Sequence, residues 1–340
     1  MSRERSPGKE EMEAVWIREF GDPEVLELRR VAMPEPEPGQ VRVRVAASGV
    51  NRADLLQRRG HYPPPPGYPP EIPGLEFAGV VEAVGPGVRL WSAGDRVMGI
   101  TGGGGYAGFV IARERELVVV PEGLSLVEAG GVPEVYMTAF DALFSQAGLQ
   151  AGETVLVHAV GSGVGTAALQ LARRAGARVL GTSRSDWKLD RAAESGLHFP
   201  IPGDERWEER VREATEGRGV DVILDLVGGA YLDGNLKALT TGGRQVVVGV
   251  PSGSAAEIDL RRLMTRRALV RGTVLRPRPP EEKAHLARTF QRRVLAGFRD
   301  GTLNPILDRA LPPSRAPEAH RALEGNEVFG KIVLDWEAPP

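Results

Sequence analysis

The stretch TVLVHAVGSGVGTAALQLARRAGARVLGTS, residues 154–183, decides the fold. Val155 to His158 open it with an apolar, β-branched run that reads as a buried strand. Gly161, Ser162, Gly163, Val164 and Gly165 make a glycine-rich turn, and the Ala and Leu residues after it repeat at helical spacing up to Gly176. ARVLGTS resumes a strand. This order of strand, tight turn, helix and strand is that of a parallel crossover unit. The glycines let backbone N–H groups approach a pyrophosphate, and the helix start adds the positive end of its dipole. Ser162, Gly163, Val164 and Gly165 are therefore candidate phosphate-facing residues of a dinucleotide site. Thr166 breaks the strict G-x-G-x-x-G spacing, so the flanking elements rather than the glycines carry the reading.

Downstream, DWKLDRAAESG, VDVILDLVG, YLDGNLKAL, GRQVVVGV and ALVRGTVL alternate helix and strand, which predicts a parallel, doubly wound sheet over 135–275. TAFDALFSQAG (138–148) reads as a helix beginning at Thr138 and ended by Gly148. The second strand ends where an NAD enzyme holds an acidic residue for the ribose hydroxyl. Ser183 and Arg184 stand there, with Lys188 one turn on, and cations suit a 2′-phosphate. The expected cofactor is thus NADPH rather than NADH. Val227, Gly228 and Val250 close later strands, where ligands meet the carboxyl edge of such a sheet.

Upstream, residues 13–134 carry short strand-like runs: VRVRVAASGV (41–50), FAGVVEAVG (77–85) and FVIARERELVVV (109–120). Val41, Val43 and Val45 alternate with Arg42 and Arg44, predicting one buried and one wet face. YPPPPGYPP (62–70) cannot enter a sheet interior because proline lacks the donor, and reads as a rigid loop. Residues 276–340 hold an Arg-rich helix (281–299) and the strand GKIVLDW, too little core for a domain, and are expected to pack back onto the first one. Residues 1–12 read as a disordered, charged tail without a secretory signal.

Composition narrows the function. The 340 residues are 41% hydrophobic and 26% charged, as in soluble globular proteins. A net charge of −2 gives no general attraction to nucleic acid or to an anionic membrane, and the expected location is the cytoplasm. No cysteine is present, which excludes disulfides, thiolate catalysis and cysteine-ligated zinc. The five histidines show no ligand spacing, so no metal is expected.

NRADLLQRRGHYPPPPGYPPEIPGLEFAGVVEAVGPGV (51–88), AGDRVMG (93–99), VPEVYMTAFDAL (132–143) and HAVGSGVGTAALQLARRAGA (158–177) resemble the zinc-free quinone oxidoreductases of the zeta-crystallin type. These belong to the medium-chain dehydrogenase/reductase superfamily, and the likeness is greatest to the branch induced by a tumour suppressor in animals. The resemblance implies an α/β fold: a GroES-like, β-rich catalytic domain over 13–134 and 276–340, and a Rossmann, doubly wound NADP-binding domain over 135–275. Where zinc alcohol dehydrogenases carry Cys and His, this chain has Asn51 and Leu75, and ITGGGGYAG (100–108) replaces their four-cysteine lobe. Without a Lewis acid for an alkoxide, the expected reaction is metal-free hydride delivery from NADPH to a quinone, whose conjugation takes up the charge. An enone or enoyl thioester is the alternative acceptor. A nucleotide-holding structural or RNA-binding protein is the non-enzymatic alternative.

The resemblance further implies that Asn51 sits beside the nicotinamide and acceptor, and that Tyr62 lines the acceptor pocket, where its hydroxyl could donate to a developing oxyanion. Thr138 could touch the nicotinamide or merely cap its helix. Asn326 and Lys331, in EGNEVFGKIVL, match a segment that returns to the nucleotide, with Lys331 reaching phosphate. Relatives often place a tyrosine near the adenosine phosphate after the third strand, and HFPIPGDE (198–205) lacks it. A homodimer pairing through ALVRGTVL (268–275) is expected.

Overall fold

The structure is a computed structural model that describes residues 10–338. The chain divides into two compact units. The first takes the residues up to Glu134, Arg276–Ala296 and those from Leu307 onward; the second is Val135–Leu275 with Gly297–Ile306.

In the first unit, strands β1 (Glu11–Ile17) and β2 (Leu26–Ala32) form an antiparallel pair. Next come β3 (Gln40–Gly49), β4 (Glu76–Val84), β5 (Arg96–Ile100), β6 (Phe109–Arg113) and β7 (Leu117–Val119). Proline-rich 62–70 contributes no strand. Val41, Val43, Val45, Phe77, Val81 and Val97 bury one face of this sheet; a fully buried Val or Phe contributes about 1.5–3 kcal/mol. The expected wet face is half right. Arg44 is exposed, but Arg42 is buried, because its guanidinium bonds Glu82 at 2.6 Å and the carbonyl of Pro34 at 3.0 Å. FVIARERELVVV is two strands, since a turn at Glu114–Glu116 sends β6 to pair with β3 and β7 with β5.

In the second unit, β8 (Thr154–Val157), β9 (Arg178–Ser183), β10 (Phe199–Pro202), β11 (Val220–Asp225), β12 (Leu239–Val247) and β13 (Leu269–Gly272) form one parallel sheet. Their order is β10-β9-β8-β11-β12-β13. This is the doubly wound arrangement expected from the alternating pattern, and the winding reverses between β8 and β11. Helices Gly163–Arg174, Asp186–Glu194, Trp207–Ala214, Leu232–Ala238 and Leu260–Arg266 make the crossovers. Leu156, Leu180, Ile223, Leu236 and Leu239 pack its core.

The chain then completes the first unit with β14 (Leu307–Leu311) and β15 (Lys331–Asp335), giving the order β14-β15-β3-β4-β5-β7. Ala316, Ala319 and Ile332 pack there with Met12, Val15 and Ile17.

Several boundaries need correction. Gly297–Ile306 falls in the second unit rather than with 276–340: Arg174 pairs with Asp300 at 2.9 Å, Gln170 and Asn304 exchange two hydrogen bonds, and Phe298 meets the Tyr136 ring edge-on. Glu11 and Met12 are not tail but strand, paired with Ala32 and Val31. The rest of that tail, residues 1–9, lies outside the described residues. The helix assigned to begin at Thr138 begins at Pro133 and continues through Gln146, so Thr138 is a buried mid-helix residue and not a cap. Among the described residues no helix is long and apolar enough to cross a membrane.

Candidate functional site

In the second unit, Ser162 is the N-cap of Gly163–Arg174, and its hydroxyl accepts from the Gly165 amide at 3.1 Å. The Gly163 and Val164 amides lie in the first turn, where a helix has no internal acceptor to offer, and they present donors to an anion. Gly165 is needed for another reason. A Cβ there would lie 2.4 Å from the Ala159 carbonyl oxygen, so only glycine lets the helix press this closely on the loop.

Beneath the loop runs a buried polar chain. His158 Nε2 donates to Asn235 Oδ1 at 2.7 Å, and its Nδ1 accepts from the Thr182 hydroxyl at 2.8 Å. Burial lowers the His158 pKa, in keeping with this neutral tautomer. Asn235 and Gln245 donate to one oxygen of Asp225, and the amides of Val227 and Gly228 donate to the other at 2.8 and 2.9 Å. One carboxylate thereby fixes the turn at the end of β11. Gly228 has φ +91°, and a Cβ on it would come within 2.6 Å of Val250 Cα. The three residues read as lining the carboxyl edge are thus brought together.

At the end of β9, Ser183 is buried and accepts from the Ser185 amide at 3.2 Å, while Arg184 is exposed. Lys188 is buried, with its ammonium 5.3 Å from the centre of the Trp187 ring. Tyr231 stacks on Trp207 and donates to the Gly203 carbonyl at 3.4 Å; burial raises its pKa and the charge of Arg184 opposes the rise. A tyrosine hydroxyl thus stands near Arg184, supplied from the residues after β11 rather than from HFPIPGDE.

In the first unit, Asn51 caps the helix Arg52–Arg58, and Asp54 Oδ2 accepts its amide at 2.8 Å. Asp54 also accepts from the Gly74 amide and the Tyr106 hydroxyl, which makes it a structural anchor. The Asn51 carboxamide donates to Glu76 at 2.9 Å and accepts from Lys331 at 2.7 Å. Lys331 completes its three donors with the Val50 carbonyl at 2.8 Å and Glu76 at 2.7 Å. The expectation that Lys331 reaches phosphate is corrected: its ammonium is buried with all three donors engaged. Glu134 donates its amide to Glu76 at 2.8 Å. Burial, and then the charge of Glu76, push the Glu134 carboxyl up to about 8. Asn326 stands in a left-handed turn at φ +59° after the helix Ala316–Glu324. Tyr62 lies half-buried in the proline loop, beside Arg276.

Glu76, Glu134, Asp225, Tyr231 and Arg276 escaped the sequence reading. For the three carboxylates the signal available was a lone charge inside an apolar run, as in GLEFAG, VPEVYM and VILDLVG.

Known proteins align with both units. The alcohol dehydrogenase GroES-like domain matches residues 37–122, and the zinc-binding dehydrogenase family matches 163–292. A quinone oxidoreductase of Sus scrofa is 34% identical over 331 residues, 96% of this chain and 98% of that protein. The Homo sapiens quinone oxidoreductase has the same identity and coverage. The chain belongs to the zeta-crystallin-like quinone oxidoreductases of the medium-chain dehydrogenase/reductase superfamily. It is an oxidoreductase. Among solved structures, an NAD-dependent alcohol dehydrogenase superposes with TM-score 0.85 at 34% identity, over 95% of this chain and 99% of that one. The CurK enoyl reductase superposes with TM-score 0.84 at 26% identity, over 96% and 99%.

The zinc in one family description does not fit these residues. The chain has no cysteine, and among the described residues no group of three His, Asp or Glu could hold a metal. Asn51, at one position where zinc relatives carry a ligand, and Glu76, next to the other at Leu75, instead bind the Lys331 ammonium.

Proposed function

We propose that this enzyme reduces quinones with NADPH and without a metal. The observation that carries the reading is the helix-start loop at Ser162–Gly165 with Arg184 exposed at the end of the neighbouring strand, in a chain whose full-length relatives are quinone oxidoreductases. A reduced nicotinamide, when bound, supplies the hydride. Gly163 and Val164 offer amides to its pyrophosphate, with Val227, Gly228 and Val250 lining the same edge of the sheet. Ser183 and Arg184 take the 2′-phosphate, and Lys188 adds charge. Thr138 and Asn326 stay in the proposal as nucleotide contacts.

On the acceptor side, Asn51 is held by Lys331 and Glu76 as a fixed wall, and the Tyr62 hydroxyl donates to the oxygen that gains charge. A conjugated acceptor spreads that charge itself, so the protein need only position it and offer a hydrogen bond. Enone or enoyl-thioester reduction is the second reading, favoured by the structural likeness to an enoyl reductase. The exposed Leu269 and Val274, on and just beyond the edge strand β13, suit pairing with a second copy, which light scattering would detect as a doubled mass. A cytoplasmic location belongs to the same proposal.

The test is turnover. Protein, NADPH and ortho-naphthoquinone should together bleach the reduced-nicotinamide absorbance, and Arg184→Ala should lower kcat/KM for NADPH about tenfold while sparing NADH. Equal use of both nucleotides by the unaltered enzyme would refute the NADPH assignment, and an inert quinone would refute the acceptor class.

A further inference from the structure

Arg276 follows β13, in a turn before the helix Pro280–Arg293, and its side chain is 4% exposed. Its Nε donates to the Gly102 carbonyl at 2.8 Å. One terminal nitrogen donates to the Tyr62 carbonyl at 3.0 Å, the other to Gln57 Oε1 at 2.6 Å. The guanidinium carbon lies 4.7 Å from the centre of the Tyr62 ring. Three segments distant in sequence, the helix Arg52–Arg58, the proline loop and the glycine loop 102–105, are thus tied by one planar fork. Glycine is needed opposite it. A Cβ at Gly102 would lie 2.5 Å from the Tyr68 ring, so the two loops meet without side chains between them.

Every partner of Arg276 is neutral. Among the described residues no carboxylate forms an ion pair with it; Asp54 and Glu134 act on it only at a distance. Burying a cation without a paired anion is expensive, and a residue with only a structural task could be an apolar one of similar size. Such a charge persists where an anion is to be met. Burial raises the Tyr62 pKa, and the charge of Arg276 works against that rise, so the cation strengthens the phenol as a donor. Glu134 opposes it.

We propose that Arg276 is the positioning and electrostatic partner of Tyr62, holding the phenol toward the acceptor and stabilising, through it, the negative charge that the acceptor oxygen gains. This rests on the reading of Tyr62 as the hydrogen-bond donor of a quinone reductase. Arginine is needed for its shape, because a lysine ammonium cannot span the same three acceptors.

A double-mutant cycle tests the coupling, with ortho-naphthoquinone and NADPH as substrates. Tyr62→Phe and Arg276→Met should each lower kcat about tenfold, and the double variant about tenfold rather than about a hundredfold. Arg276→Lys should fall between, and NADPH affinity by fluorescence titration should be unchanged in all. Losses that multiply, or that appear only as weaker NADPH binding, would overturn the proposal. If Arg276→Met does not fold, the cycle is run with Arg276→Lys and with Gln57→Ala, which removes one acceptor and leaves the charge; their losses too must vanish in the Tyr62→Phe background. Absence of quinone turnover in the unaltered enzyme would instead sink the proposed function, so the two failures are distinguishable.

Discussion

At Gly49 a missing side chain decides whether the cluster of Asn51, Glu76 and Lys331 can assemble. A Cβ there would stand 2.1 Å from Glu76 Oε1, the atom that binds both Asn51 and Lys331. Gly49→Ala must push Glu76 aside, and an ammonium with no carboxylate beside it stays buried. Removing one partner of a buried pair costs about 3–5 kcal/mol, so thermal unfolding should shift down by many degrees. An unshifted midpoint would mean that Glu76 has room to move. None of this was legible in GLEFAG. Glu76, Asn51 and Lys331 come from separate strands and caps, with Asn51 and Lys331 280 positions apart, and periodicity speaks only of near neighbours. Lys331 was assigned to phosphate because EGNEVFGKIVL resembles a segment that returns to the nucleotide. Its partners could be seen only in three dimensions.

Among the elements, the β8 strand, its loop and the helix after it were readable for the opposite reason, because their contacts are local. Ser162, Gly163 and Gly165 cap, turn and pack within a few positions of one another, so their types report their tasks. Ser162→Ala removes the side-chain acceptor of the Gly165 amide and should cost about 1 kcal/mol of stability. Added NADPH should stabilise this variant less than the parent in a thermal shift assay; an equal shift would separate the cap from nucleotide binding. Thr138 was misread by the same local logic. A polar β-branched residue ahead of an Ala-rich run resembles a helix start, yet Pro133 had already opened the helix at a position that tolerates proline. The wet face expected for Arg42 failed because Glu82, on the partner strand, makes its burial tolerable.

For the molecule as a whole, one contribution to the pH dependence of stability comes from a buried chain in the first unit. Arg58, fully buried, pairs with Glu324 and donates to His320 Nδ1 at 3.2 Å; His320 Nε2 meets the Tyr106 hydroxyl at 3.3 Å, which donates to Asp54 at 3.1 Å. Burial, then the charge of Arg58, lower the His320 pKa to about 3. Between pH about 6.5 and about 3 the unfolded chain therefore binds a proton here that the fold refuses, and stability is lost as the pH falls, by about 1.4 kcal/mol per unit. Asp54, raised by burial to about 6, acts in reverse: its contribution is present below pH about 4 and disappears as the pH rises through 6. Glu134, raised to about 8, acts in the same sense as Asp54 between about 4.5 and 8, so the histidine runs against both carboxyls. His320→Gln should remove the histidine's loss, so that its unfolding temperature gains on the parent's as the pH falls from 7 to 4. Parallel curves would show that the imidazole is not the group responsible.

The path of the chain has a practical corollary. The backbone passes from one unit to the other four times, at 134/135, 275/276, 296/297 and 306/307, and the last excursion brings Asp300 to Arg174 and Asn304 to Gln170. A fragment cut at Leu275 would leave those partners bare, along with the ring of Tyr136. Expressing the nucleotide unit alone thus calls for grafting residues 297–306 back onto it, and a circular permutant with its ends in one of those joints would preserve more than any simple truncation.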